Sequence, residues 1–299
     1  AYIVAHATGS ITRRIKWRQL QEYEFSLPPL EDQRKVVAML ASVDEAIQAT
    51  QVLTYHTERV KKRLLQDLLT KGIGHTEFKK TVVGEIPAGW EVLRLDNLAT
   101  FRRGSFPQPY GSPEWYDDEN GHPIVQVYDL ADDMRLKQKT KKRISDLAAE
   151  KSVFVPTGSI ILTIQGSIGR VALTHYDVYL DRTLLVFRAF LHEVDPYFFM
   201  NAIYLLFQQE KRKAPGSTIK TITKEKLKAF NLSLPPLAEQ QEIAAILSSV
   251  DKRIANCEER AKQLQRVKVA LLQGLHAGED MGEFVKPPNE STLSLGDHA

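Results

Sequence analysis

Two separate stretches of the chain carry one register of alternating three- and four-residue steps, apolar at most positions. In the first it reads Val36, Leu40, Val43, Ile47, Thr50, Thr54, Thr57, Lys61, Leu64 and Leu68. In the second it reads Ile243, Leu247, Val250, Ile254, Cys257, Ala261, Leu264, Lys268, Leu271 and Leu275. Sustained over several heptads, that spacing predicts long helices that bury a narrow stripe against a partner. No Gly or Pro interrupts either run before Gly72 and Gly274, so each predicts a rod of about 40 residues, roughly 60 Å long.

The rods are copies of one element. SLPPLEDQRKVV opens at Ser26 and SLPPLAEQQEIA at Ser233, 207 positions on. The match reaches back through Gly9, Ser10, Ile15 and Leu20 against Gly216, Ser217, Ile222 and Leu227. Pro-Pro-Leu suits the entrance to a first helical turn, where a missing N–H costs nothing. Acids follow at once (Glu31, Asp32; Glu239) on the side the helix dipole favours. Shared length and register favour two rods packed on each other over two amphipathic helices docked on separate domains. Thr50, Thr54 and Thr57 leave the first seam polar in its middle.

Between the rods the period changes. Alternating apolar positions at Trp90, Val92, Leu93 and Leu95 predict a strand and then a short helix. Phe101 to Pro123 is a long loop rich in Gly, Pro and aromatics; IVQVYDL (124–130) predicts a strand, and 132–142 a charged turn region. Residues 150–173, punctuated by Gly158, Gly166 and Gly169, predict β-hairpins. Strand pattern resumes over 179–190, and 196–212 reads as a helix. The organisation expected is a domain end at 1–25, a first helix at 26–75, an α/β or mostly β domain at 76–232, a second helix at 233–275 and a flexible tail at 276–299.

Composition narrows this only a little. A net charge of +3 over 299 residues announces no global polycation, so any basic surface must be local. The single cysteine, Cys257, sits on the seam as a packing residue and excludes an internal disulfide framework. No apolar run of membrane-spanning length and no signal-peptide pattern is read, which gives a cytoplasmic expectation.

Catalytic patterns are missing from the sequence. It has no G-x4-GK[ST] phosphate loop, no Gly-rich Rossmann turn after a strand, and eight scattered histidines without metal-ligand spacing. Asp117-Asp118 and Asp132-Asp133 lie in loop text. The groups that remain suit DNA. Arg102 and Arg103 begin the long loop, and Gln165, Ser167 and Arg170 occupy a tight glycine turn. Lys220 closes the domain. These are candidates for base or groove contact; Lys137, Lys139, Lys141, Lys142 and Arg143 are candidates for phosphates. Each has a plainer alternative: the basic run as a solvated face, the glycines as hairpin geometry.

GEIPAGWEVLRLDNLA, followed by a variable body and then GSTIKTITKEKL and LSLPPLAEQQEIAAILSSVDKRI, resembles the specificity subunit of Type I restriction-modification systems over about residues 9–275. The resemblance implies target recognition domains alternating with two helices that pair as an antiparallel coiled coil. It implies double-stranded DNA, methyltransferase subunits and a restriction subunit as partners. Catalysis and the S-adenosylmethionine site belong to those partners, so no cofactor is expected in this chain. Only the end of a first recognition domain precedes Ser26. That implies a truncated subunit, a silent cassette, or a half-size form pairing with a second copy. The rival functions are a nuclease or methylase with unrecognised motifs, and a scaffold that assembles without reading DNA.

Overall fold

The structure, a computed structural model, describes residues 16–22, 29–213 and 222–277. Most of the expected domain end at 1–25, nearly all of the tail and Lys220 lie outside them. The chain forms two compact units, one of residues 1–53 and 257–299, the other of residues 54–256. Each rod contributes to both: α1 spans Leu30–Lys71 and α6 spans Leu237–Ala277.

In the first unit the register holds. Val36, Leu40, Val43, Ile47 and Thr50 on α1, and Cys257, Ala261, Leu264, Lys268 and Leu271 on α6, are buried or half-buried, while most positions between them are exposed. Cys257 is a free, buried thiol. Lys268 Nζ lies 2.6 and 2.8 Å from the two carboxylate oxygens of Asp44. The Thr50 hydroxyl donates to the Ala46 carbonyl one turn back at 2.7 Å, so this polar seam residue is satisfied by its own helix. The expectation of no membrane-length apolar run needs correcting, because α1 holds an 18-residue window of mean hydropathy 1.2. Its half-buried seam and the Asp44–Lys268 pair are those of a paired rod.

In the second unit the same pairing recurs, with Lys61 Nζ 2.5 Å from Asp251 and the Tyr197 hydroxyl donating to the other Asp251 oxygen. Past α1 come β1 (Phe78–Thr81), β2 (Gly84–Pro87), β3 (Glu91–Arg94), α2 (Leu95–Leu98) and β4 (Ala99–Arg103). The body continues with β5 (His122–Val125), β6 (Lys142–Ile144), α3 (Asp146–Ala149), β7 (Val153–Val155), β8 (Ile160–Thr163) and β9 (Val171–Leu173). It closes with β10 (Val178–Leu180), β11 (Leu184–Phe190), α4 (Pro196–Lys213), α5 (Lys224–Lys228) and β12 (Asn231–Leu234).

Two four-stranded sheets, ordered β6-β5-β10-β7 and β4-β11-β8-β9, make the body, and β3 pairs with β12 antiparallel. Successive side chains of a strand point to opposite faces. Ile160, Leu162, Leu185 and Phe187 therefore pack with α4 and the rods, beside Phe198, Phe199, Phe207, Leu65 and Leu247. Their neighbours Ile161, Leu184 and Val186 pack with Val125, Val155 and Leu180 of the other sheet. A sheet covered on both faces reads as continuous hydrophobic text, which explains TLLVF and SIILT. Each such side chain contributes about 2 kcal/mol of burial.

Three expectations differ from the structure. Arg102 and Arg103, expected to begin the long loop, lie on β4 opposite Val186 and Leu185 of β11, because the ladder runs on to Gly104, whose N–H donates to the Leu184 carbonyl. The strand from Ile124 stops at Val125, because the Gln126 N–H is taken by the Asp129 carboxylate at 2.9 Å and residues 127–129 form a 3-10 turn. Of the expected hairpins only β8–β9 forms; β7 pairs with β10 instead.

The rod motif LPPLAEQ has a structural meaning. Glu239 accepts from the Ile73 N–H at 3.1 Å, faces His75 Nε2 at 2.8 Å and accepts from the Trp90 indole at 2.9 Å. Gln240 donates to the Pro235 and Glu193 carbonyls and accepts from the Asp195 N–H. Gly72, at φ +65°, ends α1 beneath this carboxylate; a Cβ there would stand 2.3 Å from Glu239 Oε1. Only glycine fits both that conformation and that space.

Candidate nucleic-acid interface

Four loops of the 54–256 unit converge, and two buried carboxylates hold them. Asp181, in the β10–β11 turn, is 1% exposed. It accepts from the Tyr110 hydroxyl at 2.8 Å, the Thr183 N–H at 2.9 Å and the Thr183 hydroxyl at 2.5 Å. Gly104 lets the long loop pass, since a Cβ there would lie 2.3 Å from the Asp181 carbonyl. Arg103 Nε donates to the Arg182 carbonyl at 2.6 Å. The N–H groups of Ile164 and Gln165 both donate to the Thr183 carbonyl, which brings the glycine turn to the same place. Asp129, fully buried, accepts from the N–H groups of Gln126 and Lys141. Its own carbonyl accepts from the Lys137 N–H, so the basic loop is tied down at both ends. Burial raises the Asp129 carboxyl above its usual range, against those two N–H bonds.

Arg103, Lys141, Gln165 and Arg170 are thus brought together, although they are far apart in sequence. Arg102 is exposed on β4 and Ser167 is exposed in the glycine turn. Lys137, Lys139 and Lys141 are exposed and form no ion pair among the described residues. Lys142 is committed to Asp118 at 3.0 Å, and that contact, with the Arg143 N–H, holds the Asp118 carboxyl below its usual range. Arg143 is half-buried, and its Nε finds no hydrogen-bond partner among the described residues. Arg170 is the most committed of the set. Its guanidinium forks onto Asp132 at 2.8 and 3.1 Å, and Nη1 reaches the Leu130 carbonyl at 3.0 Å and the Val127 carbonyl at 3.4 Å.

The structure adds residues that pattern reading missed. Gln126 lies between two phenols, donating through Nε2 to the Tyr110 oxygen and accepting through Oε1 from the Tyr128 hydroxyl. Cations stand over the rings around it: Arg182 over Tyr110 at 5.3 Å, Lys141 over Tyr128 at 5.1 Å, Lys142 over Tyr116 at 5.6 Å and Lys151 over Trp115 at 4.8 Å. Interleaved aromatics and cations in the loop text were the available signal.

Burial first, and the Asp129 charge second, push Tyr128 and Tyr176 up to about 12. Burial and hydrogen bonds to Asp181 and Asp251 raise Tyr110 and Tyr197 as well. A group whose folded pKa is raised lends stability that is whole below its unfolded value, here about 10, and lost as pH climbs through the folded one. A phenolate absorbance titration should therefore show a late group ionising near pH 12 together with loss of the fold. Ionisation of all ten tyrosines in one step near pH 10 would contradict this.

The sequence profile of the Type I restriction modification DNA specificity domain matches residues 87–266, more than half of the chain. The chain belongs to this family. Among its relatives, a specificity subunit assigned to the type I restriction enzyme MjaX of Methanocaldococcus jannaschii is 26% identical, covering 93% of this chain and 64% of that protein. The EcoBI specificity subunit of Escherichia coli is 26% identical over 86% of this chain and 59% of its own length. The crystal structure of the HsdS subunit from Thermoanaerobacter tengcongensis shares the fold, with a TM-score of 0.54 at 22% identity, covering 93% of this chain and 68% of that one. The chain thus spans about two thirds or less of the length of the MjaX and EcoBI subunits. These relatives are specificity subunits, and the matched region takes in the whole convergent-loop face and most of α6.

Proposed function

We propose that this type I specificity-family chain is a non-catalytic DNA-reading subunit. Residues 76–232 form the target recognition domain and bind one short half-site of double-stranded DNA through the convergent loops. The helices of 26–75 and 233–275 hold methyltransferase subunits, and through them the restriction subunit, in the cytoplasm. The observation that supports this reading is the gathering of Arg103, Gln165, Lys137 and Lys141 onto the network of buried Asp181 and Asp129; Arg102 and Lys139 are exposed beside them in sequence. Cations presented from loops on a rigid scaffold position a duplex by its phosphates, while amides and guanidinium groups read base edges. Exposed apolar side chains on the rods, among them Val37, Val52, Val267 and Leu272, support docking of protein partners there.

The test is selection from a random duplex library by the chain assembled with its methyltransferase partner, at physiological salt. One enriched short motif is expected; equal retention of all sequences would overturn the reading and favour a scaffold. Replacing Lys137, Lys139 and Lys141 together by alanine should weaken binding to every sequence alike. The slope of log affinity against log salt should fall by about 2 to 3, close to 0.9 per lost phosphate contact. A changed motif with an unchanged slope would instead make these lysines readers of bases.

A further inference from the structure

We infer that Gln126 reads an adenine in the target, presenting one amide hydrogen and one carbonyl lone pair whose orientation the protein has fixed. This rests on the reading of the chain as a DNA-binding subunit.

The argument begins at Asp181. A buried carboxylate with donors from Thr183 on one oxygen can only accept on the other, so the Tyr110 hydroxyl must spend its hydrogen on it. The Tyr110 oxygen is then left as an acceptor. Of the two ends of the Gln126 side chain only the nitrogen can satisfy it, and the nitrogen is the end that lies there. The amide of Gln126 therefore cannot flip without setting an oxygen against an oxygen. On its far side Oε1 accepts from Tyr128, and the backbone is pinned by the bond from its N–H to Asp129.

An amide offers two hydrogens and two lone pairs. One of each is consumed, which leaves a donor and an acceptor on adjacent atoms of a half-exposed side chain. In the major groove that pair matches adenine, whose N7 accepts and whose N6 amino group donates, the pairing Gln and Asn make with it. Guanine offers two acceptors along the same edge and would set its O6 against the amide oxygen. Arg182 and Lys141, stacked over the two phenols, place positive charge on both sides of the amide, where backbone phosphates flank a read base. A glutamine serving only to bridge two tyrosines would need neither the exposure nor the flanking cations.

The experiment compares motifs selected by wild type, Gln126→Ala, Gln126→Glu and Tyr110→Phe, each in the assembled complex, with melting temperature and salt slope measured alongside. At one position of the wild-type motif adenine should be required, and Gln126→Ala should cut its preference roughly 10-fold or more. Gln126→Glu should shift that position toward cytosine, whose amino group a carboxylate accepts. Tyr110→Phe frees the amide to flip and should blur adenine against guanine at the same position alone. The inference is overturned if every variant keeps the wild-type motif, or if affinity falls equally for all sequences along with melting temperature, as loss of a structural bridge would give. A wild-type complex that selects no motif overturns the DNA-reading function itself.

Discussion

Replacing Glu239 by alanine should lower the stability of the 54–256 unit by about 3 kcal/mol, the cost of stranding buried donors. One carboxylate joins the connector past α1, through Ile73 and His75, and the entry to β3, through Trp90, to the start of α6. Trp90 is wholly buried, so its indole N–H would find no water in place of Oε2. The Ile73 N–H is only partly covered and loses less, and His75 is exposed enough to hydrate. Glu239→Gln keeps an acceptor for Ile73 but turns an amide nitrogen toward the Trp90 N–H, or the reverse, so about half the loss is expected. Urea unfolding followed by tryptophan fluorescence measures both. A midpoint for Glu239→Ala within error of wild type would mean that the motif's acid has another purpose.

Removing the Arg170 side chain should weaken DNA binding at least about 10-fold for all sequences, by loosening the loop that carries Gln126 and the lysines. The guanidinium is mostly buried, whereas its partner Asp132 is largely exposed, so water screens that ion pair and it contributes little. The carbonyls of Val127 and Leu130 matter more: Arg170→Ala leaves both without this donor, at about 1 to 2 kcal/mol. Amide exchange at Asp129, Ala131 and Lys137, whose N–H groups close the loop, should accelerate in proportion. If exchange there stays at the wild-type rate while preference relaxes at one base, Arg170 reads that base directly, as its residue type and turn had suggested.

The rods were legible in the sequence because a coiled-coil seam is a local pattern. A residue's place in the heptad depends only on its near neighbours, and the described seam residues are buried or half-buried. The strand–helix reading at 91–98 held for the same reason. The loop face was half legible. Cations and glycines announce themselves, yet what aims them does not: Tyr110 meets Asp181 across 71 positions, and Trp90 meets Glu239 across 149. Arg170 shows the limit plainly. Its residue type suggested a base reader, and nothing near it in sequence said that its donors were already engaged by Asp132, Val127 and Leu130. Gln126 escaped because it sits in text resembling a strand, and only the Asp129 cap removes it from the ladder.

Asp44 and Asp251 stand at equivalent places in the two copies of the duplicated element, and so do Lys61 and Lys268, each 207 positions apart. Side by side in one direction, the copies would confront acid with acid and base with base. Laid in opposite directions they give each aspartate a lysine, Asp44 with Lys268 in one unit and Lys61 with Asp251 in the other. An apolar stripe repeated in both copies has little power to tell head from tail, whereas two opposite signs set 17 residues apart on each copy do. A repeated helix with its acid and base 17 residues apart thus matches its own copy in charge when the two run in opposite directions.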